Sequence, residues 1–233
     1  MIPLHDDNPT ELPPIFTVLL IVACVLAFLW QLSLGKGQQR AIMALGVMPA
    51  VLLGERRLSP ELAMLPPELT VFTSMFLHGG WMHLIGNMLY LWVFGNNVED
   101  AMGHLRFLVF YLLCGVAAVF AQALPDPSST IPMIGASGAI SGVLGAYLLL
   151  YPNARVLVGI PIFVYIHATR LPALIVLGFW FVLQIVNSML AGGGEGGVAW
   201  GAHIGGFVAG ILLLPFFKRR GVRYFQPGRR YVD

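Results

Sequence analysis

The chain has 233 residues, of which 58% are hydrophobic and only 10% charged, with a formal net charge of +2. A typical soluble domain is about 45–50% apolar and about 25% charged. The composition therefore excludes a soluble enzyme and a disordered chain, and it indicates an integral membrane protein. The two cysteines, Cys24 and Cys114, lie in apolar runs, which excludes a disulfide framework and a four-thiolate zinc site.

Six apolar segments are candidates for membrane-spanning helices, because a bilayer core about 30 Å thick needs about 20 apolar residues per helix. In chain order they are Ile15–Leu34, Trp81–Val98, Leu105–Leu124, Ser137–Tyr151, Ala173–Leu190 and Val198–Phe217. The fourth has only 15 residues, which at the helical rise spans roughly 22 Å. The sequence therefore predicts an all-α polytopic bundle of six spans in which the fourth helix is short.

The predicted organisation has three parts. Residues 1–14 form an N-terminal segment, residues 15–217 the six-span domain and residues 218–233 a basic tail. Two further apolar runs, Ala41–Leu53 and Val156–His167, are too short to span and are expected to be interfacial or re-entrant.

The distribution of lysine and arginine predicts the orientation, because cytoplasmic loops carry an excess of these residues. Six of them lie in the tail after the last span. With the tail in the cytoplasm and an even number of spans, the N-terminus is cytoplasmic too. Nine lysines and arginines then lie inside and four outside.

Four polar side chains within these spans are expected at one depth. His83 and Asn87 lie four residues apart on one helical face, Ser137 begins the fourth span and His203 is near the start of the sixth. Spans two, four and six all start at the non-cytoplasmic face. Polar residues in spans are more often structural hydrogen-bonding groups, but a shared depth reached from separate parts of the chain favours a functional site.

Serine and histidine together are the minimal set for nucleophilic hydrolysis, because an imidazole can remove the proton that keeps a serine hydroxyl weakly nucleophilic. Ser137 begins a helix, whose free N–H groups can donate to an oxyanion. His83 and Asn87 could add donors to the same hole. No Asp or Glu lies at this depth in these three spans, so the sequence predicts a Ser137–His203 dyad without the acid of a triad.

Glycines predict close packing of the fourth and sixth spans, which the dyad requires. Gly138 and Gly142 lie on one face of the fourth span, and Gly206 and Gly210 share a face with His203 in the sixth. Small residues at these spacings let transmembrane backbones approach each other.

Three segments resemble signature sequences of the rhomboid intramembrane serine proteases. They are His78–Met88, Gly135–Ala139 and Ala202–Gly210, and they occur in the order found in that family. Trp180 with Gln184 in the fifth span also resembles the family. The resemblance runs from about Thr70 to Gly210, which is most of the chain.

The resemblance implies cleavage of transmembrane protein substrates near the outer face of the bilayer. It implies that Ser137 is the nucleophile and His203 the general base, and that His83, Asn87 and the Ser137 N–H form the oxyanion hole. It also implies close packing around Gly135, and a short central helix that carries the serine.

The expected partners are transmembrane substrates and the lipid bilayer, with no cofactor, no metal and no nucleic acid. The expected location is the bacterial cytoplasmic (inner) membrane, with the active site opening to its outer face. The fifth span and the Ala191–Gly197 loop would be the substrate gate and cap. Oligomeric state and the physiological substrate are left open.

Two departures from the family pattern concern the surroundings of the site. Many members have Trp-Arg where this chain has Leu69-Thr70, and some have an aromatic residue one turn after the serine, where this chain has Ser141. The first changes how the long loop is anchored, and the second leaves the orientation of His203 to other groups.

Three alternatives remain at this point. The first is a non-catalytic membrane binding protein of the same fold, although the relatives of that kind lose the serine or the histidine. The second is a zinc protease using His78, His83 and His203, although no His-Glu-x-x-His is present. The third is a transporter, although the spans lack a chain of ionisable residues.

Overall fold

A computed structural model describes residues 1–162, 165–190 and 198–226. The helices within them are α1 (Ile15–Ser33), α2 (Gln38–Leu45), α3 (Pro49–Leu52), α4 (Pro67–Thr73), α5 (Trp81–Met102), α6 (His104–Ala123), α7 (Ser137–Leu150), α8 (Ala173–Leu190) and α9 (Trp200–Phe217). The strands are β1 (Ile2–Asp6), β2 (Arg155–Ile162) and β3 (Tyr165–Pro172). The described residues are thus mostly helical.

Each of the six candidate spans coincides with one of these helices. Four of them, α1, α6, α8 and α9, are long and apolar enough to cross a membrane. Helix α5 has 22 residues but carries Asn96, Asn97, Glu99 and Asp100 in its second half, and α7 has only 14 residues. Large apolar side chains on the outer faces of α1 and α8 are exposed, as expected for helices surrounded by lipid.

Helix α7 lies inside the bundle, where it contacts α5, α6 and α9. Its residues from Gly138 to Tyr147 are all buried, in spite of its short length. It ends at Leu150 because Pro152 follows closely, and proline disfavours helical backbone at the residue before it. The nucleophile candidate thus begins a helix that is shielded by other helices.

The chain is not all-α, and this part of the prediction is wrong. β1, β2 and β3 form an antiparallel sheet in that order, and β2 and β3 occupy most of the apolar run Val156–His167. Val156 and Val158 are fully buried, while Arg155 and Leu157 on either side of Val156 are more exposed, as the period of two in a strand requires. Pairing in the sheet also satisfies the backbone N–H and C=O groups of this connection.

The other short run, Ala41–Leu53, packs against protein. It includes the end of α2, all of α3 and a bridge from Val47 to Met133, which precedes α7. Val47 forms a small buried cluster with Val71, Met75 and Val119. The long loop therefore supports the segment that leads into α7.

Buried polar groups fix both ends of α1. Near its start, the Glu99 carboxylate accepts hydrogen bonds from the backbone N–H groups of Phe16 and Thr17 at 2.9 and 2.8 Å. These are donors that the helix itself leaves free. Near its end, the Gln31 side chain exchanges two hydrogen bonds with the backbone of His78, at 3.2 and 3.0 Å. α1 is thereby joined to the two ends of the segment that contains α5.

Candidate active site

Ser137 owes its position to the turn that precedes it. Gly135 has φ +120, a conformation that residues with a side chain rarely adopt. Its N–H donates to the Ser74 carbonyl at 2.8 Å. A Cβ at this position would lie only 2.6 Å from His83 Nε2, so the glycine lets the chain pass directly beside that imidazole before α7 begins.

His203 lies in the first turn of α9, with Nε2 at 2.8 Å from Ser137 Oγ. This distance is within the range of a hydrogen bond between a hydroxyl and a ring nitrogen. Only 9% of His203 is exposed. The two residues that the sequence singles out as nucleophile and base are therefore in direct contact.

The contact is possible because the backbones of α7 and α9 touch. A Cβ at Gly206 would collide with the Gly138 carbonyl oxygen, and one at Gly210 with the Gly142 carbonyl oxygen. A Cβ at Gly138 would lie 2.6 Å from the Ala118 side chain of α6. The glycines thus lie where three helices meet, which is the arrangement that small residues permit.

The second ring nitrogen of His203 has a partner that the sequence analysis did not assign. His203 Nδ1 lies 2.7 Å from Gln184 Oε1, and the Gln184 amide nitrogen donates to the Trp180 carbonyl at 3.0 Å. Gln184 is a buried polar residue in an apolar helix, and this signal was present in the sequence. Its role does not follow from the usual triad pattern, in which the third residue is an acid.

Aromatic rings flank His203. The ring centroids of Trp180 and Trp200 lie 5.9 and 6.0 Å from that of His203, the first tilted and the second edge-on. Ser141 presents no ring, since its hydroxyl donates to the Ser137 carbonyl at 2.7 Å. The orientation of His203, which the departure at Ser141 left to other groups, is therefore set by two tryptophans and a glutamine.

Two further donors lie beside Ser137. The Gly79 N–H donates to His83 Nδ1 at 3.3 Å, which leaves Nε2 as the protonated nitrogen of a neutral ring. The Asn87 amide nitrogen is buried and has no hydrogen-bond partner among the described residues. A buried N–H group without a partner is uncommon, and Asn87 lines the same cavity as Ser137.

These groups line a cavity of about 950 Å³. Its wall includes His83, Asn87, Ser137, Trp180 and His203, together with apolar residues from the segment before α7. The cavity combines an apolar lining with a few convergent polar groups, as binding sites for organic ligands do. It has room for part of a polypeptide and for water.

Other predicted residues lie elsewhere. His78 is buried, with its ring centroid 5.1 Å from that of His83, and no group of three His, Cys, Asp or Glu within the described part of the chain could hold a metal ion. Leu69 is exposed, whereas the buried Thr70 donates to the Pro67 carbonyl at 2.5 Å. The Ala191–Gly197 loop and the end of the tail are outside the described residues.

Comparison with known proteins supports one family. The sequence model of the Rhomboid domain matches residues 67–220, more than half of the chain. Rhomboid protease GluP of Bacillus subtilis is 33% identical over 200 residues, which are 85% of this chain and 34% of that protein. RHOMBOID-like protein 5 of Arabidopsis thaliana is 30% identical over 165 residues, which are 68% of this chain and 48% of that protein.

A third relative, the mitochondrial Rhomboid protein 1 of Saccharomyces cerevisiae, is 30% identical over 152 residues, which are 62% of this chain and 40% of that protein. The chain thus spans half or less of the length of these three relatives. The match covers the segments that contain His83, Ser137 and His203. Together with its long apolar helices, these similarities show that the chain is an integral membrane protein of the rhomboid family.

Proposed function

We propose that the protein is an intramembrane serine endopeptidase that hydrolyses peptide bonds in or near the transmembrane segments of other membrane proteins. The observation that carries the proposal is the 2.8 Å contact between Ser137 Oγ and His203 Nε2 at the side of a cavity. Several of the relatives bear the word protease in their names, among them Rhomboid protease GluP and the putative rhomboid protease YdcA, both of Bacillus subtilis.

The first half of the reaction forms an ester. Ser137 Oγ attacks the carbonyl carbon of the scissile peptide while His203 Nε2 takes the hydroxyl proton. The negative charge on the carbonyl oxygen is stabilised by the N–H groups of Ser137, His83 and Asn87. His203 then gives its proton to the leaving amine, the C–N bond breaks and an acyl-enzyme remains on Ser137.

The second half returns the serine. A water molecule in the cavity gives a proton to His203 and attacks the ester carbon, with the same N–H groups holding the oxyanion. The Ser137–carbonyl bond breaks, the hydroxyl regains its proton from His203 and the new carboxyl terminus leaves. No residue with a permanent charge takes part in either half.

The proposed membrane arrangement has six spans, with α5 and α7 added to the four long apolar helices. The burial of α7 inside the bundle supports this count, because a short helix surrounded by protein does not need to match the lipid thickness. Ser137 at the start of α7 would then lie below the outer face, with both termini in the cytoplasm. The host membrane would be a bacterial inner membrane.

The test is cleavage of a transmembrane substrate in proteoliposomes by the wild-type protein, Ser137→Ala and His203→Ala. Removal of any member of such a constellation lowers kcat by about 10⁴-fold or more, so both variants should yield no new N-termini above background. Ser141→Ala is the matched control. It removes a hydroxyl one turn away that bonds only to its own helix, and it should cleave within about two-fold of wild type. Full activity of Ser137→Ala would contradict the proposal.

A further inference from the structure

Gln184 lies on the opposite side of the His203 ring from Ser137. Its Oε1 is 2.7 Å from His203 Nδ1, while Ser137 Oγ is 2.8 Å from Nε2. The three side chains come from three helices, α8, α9 and α7. Gln184 is 5% exposed, so bulk water does not compete for the hydrogen bond.

The orientation of the Gln184 amide is set by a second contact. Its nitrogen donates to the Trp180 carbonyl one turn earlier, at 3.0 Å. The reversed amide would place two carbonyl oxygens against each other, so Oε1 must face His203. An amide oxygen only accepts, and the proton between them therefore belongs to His203 Nδ1. In a neutral ring this leaves the lone pair on Nε2, towards the Ser137 hydroxyl.

We infer that Gln184 is a positioning residue for His203, so that the site is a Ser137–His203–Gln184 triad in which a neutral amide stands where other triads have a carboxylate. The inference rests on the proposed function. Like a triad carboxylate, the amide holds the ring in the tautomer that can accept the serine proton. Unlike a carboxylate, it adds no full negative charge next to the imidazolium that forms.

Charged groups near His203 do not provide a substitute for Gln184. α7 and α8 contain no Asp, Glu, Lys or Arg, and Arg106 lies at the far end of α6. Glu99 and Asp100 lie at the far end of α5. The titratable side chains that line the cavity together with His203 are His83, Tyr90 and Asp126. Of these, His83 interacts electrostatically with His203. Among the described residues, the acceptor for Nδ1 is Gln184.

The experiment measures kcat, KM and the pH profile of proteoliposome cleavage for Gln184→Met and Gln184→Glu. Methionine keeps the volume and removes the acceptor. We expect kcat to fall about 10- to 100-fold with KM within about two-fold, as for other partners that orient a functional imidazole. Glutamate keeps an acceptor. We expect it to restore kcat to within about three-fold of wild type and to move the acidic limb of the kcat profile to higher pH, because a carboxylate stabilises imidazolium.

A second readout does not depend on turnover. In ¹⁵N NMR of histidine-labelled protein, with the His203 signals assigned by their loss in His203→Ala, wild type should show the Nδ1–H tautomer. Gln184→Met should show a mixture of tautomers. Asn187→Leu is the control, since it makes the same polar-to-apolar change on α8, one turn away from Gln184 and outside the cavity lining. It should match wild type in both measurements.

Two results would overturn the inference while the proposed function stands. One is a Gln184→Met variant with wild-type kcat and an unchanged tautomer. The other is an equal loss in Gln184→Met and Gln184→Glu with the pH profile of wild type, which would mark Gln184 as a packing residue. If wild-type protein cleaves no faster than Ser137→Ala, the proposed function fails and the inference fails with it.

Discussion

Asn87 shows at the scale of one residue how the fold prepares a site. Its amide nitrogen is buried without a partner among the described residues, which costs about 1–3 kcal/mol of stability. The neighbouring chain is close, since a Cβ at Gly135 would lie 3.6 Å from that nitrogen. An N–H group kept free in this way donates only when an acceptor forms in the cavity, as the oxyanion of acyl transfer does.

Replacing Asn87 with Ala should therefore lower kcat more than it raises KM. Loss of one oxyanion donor costs about 10²–10³ in kcat in well-studied hydrolases, and the remaining donors, His83 and the Ser137 N–H, set the lower end of that range here. Steady-state kinetics in proteoliposomes give both constants. Because the variant also removes an unsatisfied buried group, its thermal unfolding temperature should equal or exceed that of wild type. A rise in KM with unchanged kcat would contradict the role of Asn87 as a donor to the oxyanion.

The sequence predicts Ser137, His203, His83 and Asn87 as candidates because each is a polar side chain within an apolar segment, and their spacing shows which membrane face they share. It does not predict the role of Gln184. Whether a glutamine on α8 reaches an imidazole on α9 depends on the distance and rotation between two helices, 19 residues apart in the chain. The distance and rotation between α8 and α9 are set by side-chain packing, which produces no periodic pattern in the sequence.

Pairs of helices determine whether the reacting atoms can meet. The contact between α7 and α9 is made by backbone atoms at Gly138, Gly142, Gly206 and Gly210. A single methyl group added there pushes the helices apart by more than the few tenths of an ångström that a hydrogen bond tolerates. Helix packing and the proposed catalysis therefore depend on the same contact.

Gly206→Ala should reduce both stability and activity. The new Cβ meets the Gly138 carbonyl oxygen, and overpacking of this kind costs about 1–3 kcal/mol. The separation of His203 from Ser137 should lower kcat at least about ten-fold. Gly178→Ala is the matched control, since a Cβ there meets no atom within 4 Å. Gly178→Ala should match wild type in thermal unfolding in detergent and in cleavage assays. Equal losses of stability and activity in the two variants would contradict the role of the α7–α9 contact.

The elements themselves were predictable to different degrees. The long helices follow from runs of apolar residues, so their ends agree with the candidate spans to within a few residues. The β2–β3 hairpin does not follow from the sequence, because Val156, Leu157 and Val158 form a continuous apolar run without a period of two. The sheet is identified by the pairing of β2 with β3 and with β1 at the start of the chain.

In the molecule as a whole, the sheet joins the N-terminal residues to the segment that follows α7. β1 pairs with β2 and contacts α5, while β2 and β3 contact α8. Asp6 at the end of β1 is 4% exposed and accepts a hydrogen bond from the Tyr147 hydroxyl of α7 at 2.5 Å. This hydrogen bond joins β1 to α7, the helix that begins with Ser137, at the end of α7 that lies opposite the cavity.

The burial of Asp6 makes the stability of the protein depend on pH. Burial raises the pKa of Asp6 from 3.8 to about 6, against the opposing effect of the Tyr147 hydrogen bond. The folded state therefore holds a proton that the unfolded chain has already released. The resulting stabilisation is complete below about pH 4 and is lost as the pH rises through 6, by up to about 3 kcal/mol.

Asp6→Asn should remove that dependence, because its amide keeps an acceptor for Tyr147 and does not titrate. We expect the variant to match wild type near pH 4 and to be more stable at pH 7.5. Asp7→Asn is the control, since that carboxylate lies next in sequence but accepts from a backbone N–H at an exposed position. The measurement is the thermal unfolding temperature in detergent from pH 4 to 8. If the unfolding temperatures of Asp6→Asn and wild type changed with pH in parallel, Asp6 would not be the source of the pH dependence.

The central claim is that Ser137 is a nucleophile activated by His203. The most direct test of this activation is treatment with a fluorophosphonate, which phosphonylates activated serine hydroxyls with loss of fluoride. Peptide mapping by mass spectrometry then identifies the modified residue. We expect one adduct, on Ser137, that is absent in Ser137→Ala and falls to background in His203→Ala. Labelling of Ser137 at the wild-type rate in His203→Ala, or no labelling of Ser137 in wild type, would contradict it.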